Sequence, residues 1–318
     1  MTKPRVAVIG AGSFGRHHLR ILGKSPNALL AGVVDSDPGR VAAAGAEYGC
    51  PVFATPSELA GKIDAAVVAV PTSAHAEVGC TLLESGIDVL VEKPIAHDLA
   101  SAQRLVETAA RHGRILQVGH LERFNPAIAA LKGMVRLPLF FEIHRLSLFS
   151  PRSLDVDVVL DLMIHDLDIV LDLVGKMPEE IRAAGISILS EKVDIANVRL
   201  AFPGGCVANL TASRVSTERV RKLRLFQPHQ YVSLDYQKQD AVVFTVSGNQ
   251  QIGFQPLSVA KDEPLRLEIE AFLAAVGNRS RPPASGEEGL RALEIALAIL
   301  GKIEEHSKVV AQQIQSLP

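Results

Sequence analysis

The chain has 318 residues, of which 47% are apolar and 21% charged, enough for two domain-sized hydrophobic cores. A formal net charge of −2 excludes the basic face that a nucleic-acid partner requires. Three cysteines, Cys50, Cys80 and Cys206, cannot pair completely and match no metal-ligand spacing, which fits a reducing compartment.

The opening "MTKPRVAVIG" enters a strand-like run at once, so no leader is expected. The longest apolar run, "AAVVAV", is far short of the ~20 residues that span a bilayer, and a cytoplasmic location is expected. Strands are then predicted over 5–10, 29–35, 51–54, 63–70, 87–93 and 114–120, with helices over 14–25, 39–49, 76–86 and 99–113 between them. The strands are apolar throughout rather than alternating, as in parallel sheets covered on both faces. Strand–helix alternation with short connections predicts right-handed crossovers and a doubly wound α/β domain over 1–119. The pattern changes over 120–318. A helix is predicted over 123–135, a strand over 139–149 and a helix over 158–175. Six extended runs follow between 179 and 247, and helices over 264–278 and 287–307 close the chain, with their packing back onto the first domain left open because these boundaries describe chain order only. Runs of strands joined by "PGG" and "SGN" turns imply an α+β domain with a mostly antiparallel sheet.

Gly10, Gly12 and Gly15 lie in GxGxxG spacing directly after a predicted strand and at the start of a predicted helix. There they permit the tight turn, the approach of a pyrophosphate to the backbone, and close helix–strand packing. Asp35 ends the second strand, where a carboxylate accepts from a ribose 2′-OH and repels a 2′-phosphate. NAD is therefore expected over NADP, with Arg40 keeping the question open. Ser13, Phe14 and Ser36 flank these positions and are expected to line the cofactor with them. The fourth strand ends in "VPTSAH", which brings Pro71, Thr72 and His75 to the same rim; His75 fits a cofactor contact or an ordinary helix start. The fifth ends in "VLVEKP" with Glu92 and Lys93. Ligands on open α/β sheets bind beyond the carboxyl ends of the strands, so Lys93 could stabilise a developing alkoxide, or be a surface lysine paired with Glu92.

The segment "VVLDLMIHDLDIVLDLVG" (158–175) is apolar yet carries four aspartates and a histidine with no basic residue. At ~100° per residue, Asp161, His165, Asp168 and Asp172 fall in a stripe about 60° wide. An active-site wall is expected, against a solvent stripe, which usually mixes signs, or a metal site, for which no further His or Cys cluster exists. Lys93 and a bound nicotinamide are expected to supply the missing positive charge; Asp166 lies off the stripe.

Together the Gly-rich turn, "VPTSAH", "EKP" at 92–94 and the D-x-x-x-H of Asp161 and His165 resemble the Gfo/Idh/MocA family of nicotinamide-dependent sugar oxidoreductases, over nearly the whole chain. The resemblance implies a Rossmann domain followed by a large mixed, mainly antiparallel sheet, and a homodimer or homotetramer formed through that sheet. It implies Lys93 and His165 as catalytic pair, with Asp161 beside the substrate hydroxyls, and no metal. A narrower resemblance, in "VGHLERFNP" (118–126) and residues 144–168, is to the branch acting on nucleotide sugars such as UDP-N-acetylglucosamine at carbon 3. Arg123, Asn125 and Arg152 are then candidate substrate contacts, since an arginine can grip a diphosphate bidentately; the alternative is that they are solvated. A dehydrogenase of a free sugar or polyol, an NAD-dependent glycoside hydrolase and a non-catalytic sensor of the same fold are the rival readings. The basic run Arg219, Arg221, Lys222 and Arg224 sits on a predicted strand whose alternation puts two charges on each face.

Overall fold

The computed structural model describes residues 3–149, 156–248 and 251–315, which form two compact units. The first comprises residues 1–121 and 263–293, the second 122–262 and 294–318.

Six parallel strands make the sheet of the first unit: β1 (Arg5–Ile9), β2 (Leu29–Val34), β3 (Val52–Phe53), β4 (Ala65–Val68), β5 (Asp88–Glu92) and β6 (Leu116–Gly119). Their order, β3-β2-β1-β4-β5-β6, reverses direction at β1, so a topological switch point lies between β1 and β4. Helices α1 (Ser13–Leu22), α2 (Pro38–Tyr48), α3 (His75–Glu84) and α4 (Leu99–Arg111) connect the strands. Every residue of β4 and β5 is buried, which is why β4 and the Val89–Val91 centre of β5 read as apolar runs without alternation. The compact unit differs from the chain-order division at residue 119. Helix α7 (Pro264–Asn278) places Ile269, Phe272, Leu273 and Val276 in one core with Val6, Val8, Leu19, Val67 and Leu90. Burying that apolar face outweighs its distance along the chain.

The second unit contains α5 (Pro126–Lys132), β7 (Phe140–Leu148) and α6 (Ile164–Val174), then β8 (Glu180–Ile186), β9 (Ile195–Ala201), β10 (Val207–Ser216), β11 (Val220–Gln227), β12 (Gln230–Asp235), β13 (Asp240–Val246) and β14 (Ile252–Pro256). Among the described residues the sheet has eight strands in the order β14-β13-β12-β11-β7-β10-β9-β8. Only β7 and β10 pair in parallel, so the sheet is mixed and mostly antiparallel. Strand β14, all of it exposed, is the strand that periodicity did not pick out; it is five residues long and contains Gly253 and Pro256, both poor strand formers. Buried residues alternate with exposed ones along β9, giving a covered and an open face. On the open side the rings of Phe140, Phe226, Tyr231, Phe244 and Phe254 form a file across five neighbouring strands, with centroids 4.7–5.7 Å apart. Helix α8 (Gly286–Gln315) runs through the division between the units. No helix among the described residues is long and apolar enough to cross a membrane.

Candidate active site

In the first unit the Gly-rich turn is built by backbone constraints. Gly10 has φ +100°, and a Cβ there would meet the Ala69 carbonyl oxygen at 2.5 Å. A Cβ on Gly15 would lie 1.7 Å from the Gly10 carbonyl oxygen, so only glycine lets α1 start this close to β1. At Gly12 a Cβ would meet nothing within 4 Å, and no side chain caps the helix that follows. An open approach to uncapped helix N–H groups suits a pyrophosphate. Ser13 and Phe14 are exposed at the helix start.

Asp35 closes the turn. Its Oδ2 accepts from the Ala11 amide at 2.7 Å, and its Oδ1 from the Asp37 amide at 2.8 Å and from Arg40 Nη2 at 3.1 Å. Burial would raise the pKa of this carboxyl, but the Asp37 and Ala11 amides and the Arg40 guanidinium outweigh it and hold it below its ordinary value. Ser36 is exposed beside it.

Pro71 is exposed and Thr72 half-exposed at the rim, whereas His75 is 1% exposed. The His75 Nδ1 lies 3.0 Å from the Pro94 carbonyl oxygen and Nε2 lies 2.9 Å from that of Val70. Its imidazole thus braces the segments that follow β4 and β5. Burial lowers its pKa against the opposing pull of those carbonyls.

Lys93 is half-buried directly after β5 and joined to Pro94 by a cis peptide bond. Glu92 turns the other way, into the unit, where its Oε1 lies 2.7 Å from His18 Nε2. A Cβ on Gly119 would sit 2.9 Å from Glu92 Oε2, so glycine on the paired strand makes room for the carboxylate. Burial would raise the Glu92 pKa, but His18 overcomes it and the carboxyl lies below its ordinary value.

The acidic segment of the second unit differs from the uniform helix expected. Residues Val159–Met163 form a π-helical turn and α6 begins only at Ile164. The wider turn breaks the phase of a single α-helical stripe at Asp161. For Asp166, Asp168 and Asp172 the source of positive charge differs from the expected one. Asp168, 1% exposed, receives Arg123 Nε at 2.6 Å and Nη2 at 2.7 Å. Asp172 receives Arg123 Nη1 at 3.2 Å and Lys132 Nζ at 2.7 Å. Asp166, left unexplained by the periodicity, is 2% exposed and receives Arg145 Nε at 2.7 Å and Nη2 at 2.8 Å. Buried carboxylates require such partners, and here they come from the α5 region and β7 of the same unit. Of the segment's polar groups, Asp161, His165 and, at its C-terminal end, Asp172 are partly exposed.

The approach to this segment is tied down. Asp157 Oδ1 accepts from the Val193 amide at 2.9 Å, and the Arg214 guanidinium donates to the Val156 carbonyl oxygen at 2.6 Å and to Asp194 Oδ1 at 2.9 Å. Against the effect of burial, the Leu189, Ile188 and Ser190 groups around Asp194 push its pKa far below the usual carboxylate range.

The candidate substrate contacts fall differently. Arg123 is committed to Asp168 and Asp172 with 6% of its side chain exposed. Asn125 is 2% exposed, caps α5 through the Ala127 amide at 3.1 Å, and donates to the Tyr236 carbonyl oxygen at 3.0 Å. Arg152 lies outside the described residues. Arg145 and Glu268 are among the buried polar groups that the motif reading of the sequence does not reach. Arg145 occupies an inward position of β7 in line with Phe141 and Ile143, and Glu268 falls on the apolar face of α7 one position before Ile269. In each case the signal was a charge at a position whose periodicity points inward.

Residues 4–120 match the model of the oxidoreductase family with an NAD-binding Rossmann fold, and residues 146–227 match the Gfo/Idh/MocA C-terminal domain. The chain is 36% identical to the UDP-N-acetylglucosamine 3-dehydrogenase of Acidithiobacillus ferrooxidans over 96% of its own length and 98% of the relative's. A solved structure of that enzyme superimposes with a TM-score of 0.91, covering 96% of this chain and 99% of that one. The myo-inositol 2-dehydrogenase of Thermotoga maritima is 27% identical over 98% of this chain and 99% of its own. The protein belongs to the Gfo/Idh/MocA family and is an NAD(P)-dependent oxidoreductase acting on CH–OH groups.

Proposed function

We propose that the protein is an NAD-dependent dehydrogenase that oxidises a secondary hydroxyl of a nucleotide sugar, with carbon 3 of UDP-N-acetylglucosamine as the best-supported target. The 36% identity to an enzyme of that activity, over nearly the full length of both chains, carries the reading. When bound, the nicotinamide supplies the acceptor for the hydride of the oxidised carbon. His165 is assigned as the base that takes the hydroxyl proton; a free imidazole titrates near ~6.5 and can cycle near neutrality. Asp161 hydrogen-bonds the substrate or orients the imidazole. Lys93 donates to the same substrate oxygen and offsets the charge that develops there.

NAD rather than NADP is supported by the Asp35 carboxylate just after β2, held ionised by two amides and Arg40, since an acid at that point of a dinucleotide fold accepts from a ribose 2′-OH and repels a 2′-phosphate. Arg40 is already engaged by that carboxylate. A second reading, oxidation of a free polyol, is supported by the inositol dehydrogenase relatives. We further propose pairing of two copies through the open sheet face, on the ground that its aromatic file ends in Phe254, 63% exposed.

The test is NADH formation with UDP-N-acetylglucosamine, UDP-sugar acids and inositols. His165→Ala is expected to lower kcat by about 100-fold or more while the Kd for NAD stays unchanged. Near-normal turnover would sink the assignment of His165. Reduction of NAD by a free polyol and by no UDP-sugar would sink the nucleotide-sugar reading.

A further inference from the structure

In the second unit the inner face of the sheet holds an arginine that its surroundings leave unneutralised. Arg221 lies directly opposite Arg145 in the β7–β11 pair and two and four residues before the inward-facing Leu223 and Leu225, so both guanidiniums occupy the face that α6 covers. Like charges directly opposite each other on a sheet destabilise the pair. Arg145 resolves its own charge with Asp166 and Glu122. Those same two carboxylates are the ones that act favourably on Arg221, and both are already held by Arg145. Arg221 Nε is buried with no hydrogen-bond partner among the described residues, while the side chain as a whole is half-exposed. Arg219, two residues earlier and exposed, adds further repulsion. Glu218 does not relieve it, because that carboxylate lines the opposite face with Glu142, Lys222 and Arg224. Among the described residues that act on Arg221, the guanidiniums of Arg145 and Arg219 thus join its own against the two carboxylates of Glu122 and Asp166. Burial and the Arg145 and Arg219 charges push the Arg221 pKa down, as expected for a cation awaiting an anion.

We propose that Arg221, assisted by Arg219, is the anion site that takes the diphosphate of a nucleotide-sugar substrate. The proposal rests on the nucleotide-sugar reading above. The sugar of such a substrate need carry no charge, so its diphosphate is the part that an excess of guanidinium would recognise. Arg145, the neighbour of Arg221 across the β7–β11 pair, is bonded to Asp166 of α6, so the anion site lies on the sheet face against which the helix bearing His165 packs. An arginine fork matches phosphate oxygens bidentately.

The experiment is calorimetric binding of UDP, uridine and pyrophosphate to the full-length protein, together with its thermal midpoint. The wild type is expected to bind UDP far more tightly than uridine. Arg221→Met is expected to weaken UDP binding about 10- to 100-fold, and Arg219→Met, at an exposed position, about 2- to 5-fold. The Kd for NAD should not change. Because Arg221 is repelled rather than held, the thermal midpoint of Arg221→Met should equal or exceed that of the wild type. UDP affinity unchanged in Arg221→Met, with UDP-N-acetylglucosamine still oxidised by the wild type, overturns the Arg221 assignment alone. Pyrophosphate bound as tightly as UDP marks a general anion site and overturns the substrate role. A wild type that binds no UDP and oxidises a free polyol overturns the nucleotide-sugar reading and this proposal with it.

Discussion

Asp166 of the second unit and Glu268 of the first are both buried carboxylates, 2% and 0% exposed, and their surroundings differ in kind. Asp166 is gripped bidentately by Arg145, whose remaining Nη1 reaches Glu122 at 3.0 Å and whose guanidinium lies over the Tyr236 ring. Neither carboxyl oxygen of Glu268 has a hydrogen-bond partner among the described residues. Burial, reinforced by the charge of Glu92, pushes its pKa well above the ordinary value. The first case is a charge kept as a charge by a partner. The second is an acid that stays neutral because no partner is supplied. A buried acid in the sequence therefore does not announce its protonation state; the strand or helix packed opposite decides it.

Breaking the Asp166 side should have the larger effect. Arg145→Met leaves a buried carboxylate without its cation and is expected to cost about 3–5 kcal/mol in urea unfolding. The double variant Arg145→Met with Asp166→Leu should recover most of that loss, because it removes both charges together. A single variant within 1 kcal/mol of wild type would show that the pair is not what keeps Asp166 charged.

The Glu268 side should respond in the opposite direction. Glu268→Leu is expected to stabilise the protein by about 1–3 kcal/mol at pH 8. The sign follows from linkage: a folded-state pKa above the unfolded one means the native protein holds the proton more tightly. Stability contributed by the neutral acid is full below the ordinary value of 4.5 and declines as pH rises above it. The gain from Glu268→Leu should therefore be smaller at pH 5 than at pH 8. A gain that does not grow with pH would mean the acid is ionised in the fold.

The smallest effect sharpens the contrast between buried and exposed pairing. Lys132 contacts Asp172 but is 58% exposed, and Asp172 also keeps Arg123. Lys132→Ala should cost no more than about 1 kcal/mol, with most of that lost in high salt. A cost comparable to that of Arg145→Met would contradict the distinction drawn from exposure.

Much of the first unit was legible because its rules are local. Apolar runs buried on both faces, glycines required by a 1.7 Å and a 2.5 Å clash, and an acid ending β2 are all written within stretches of a few residues. The second unit was legible as strands but not as a network. Periodicity put Asp161 and His165 on one side, but that reading assumed a uniform α-helix, and the π-helical turn at Val159–Met163 changes the phase between them. It could not show that Asp168, Asp172 and Asp166 are neutralised by Arg123, Lys132 and Arg145. Those partners come from 21 to 49 residues away along the chain. For the same reason Arg123 and Asn125 read as surface groups able to meet a ligand, whereas each is enclosed in bonds within its own unit.

By itself, then, the sequence determined the order of elements, the dinucleotide turn and the chemical identity of Asp161, His165 and Lys93, because each depends on near neighbours and on the two periodicities of helix and strand. Only the tertiary structure decided which charges are matched. Ion pairs are chosen by distance in space, and the low-dielectric interior magnifies that choice. Arg145 and Arg221 face each other on adjacent strands with the same side chain; one is neutralised by Asp166 and Glu122, and the Nε of the other has no hydrogen-bond partner among the described residues.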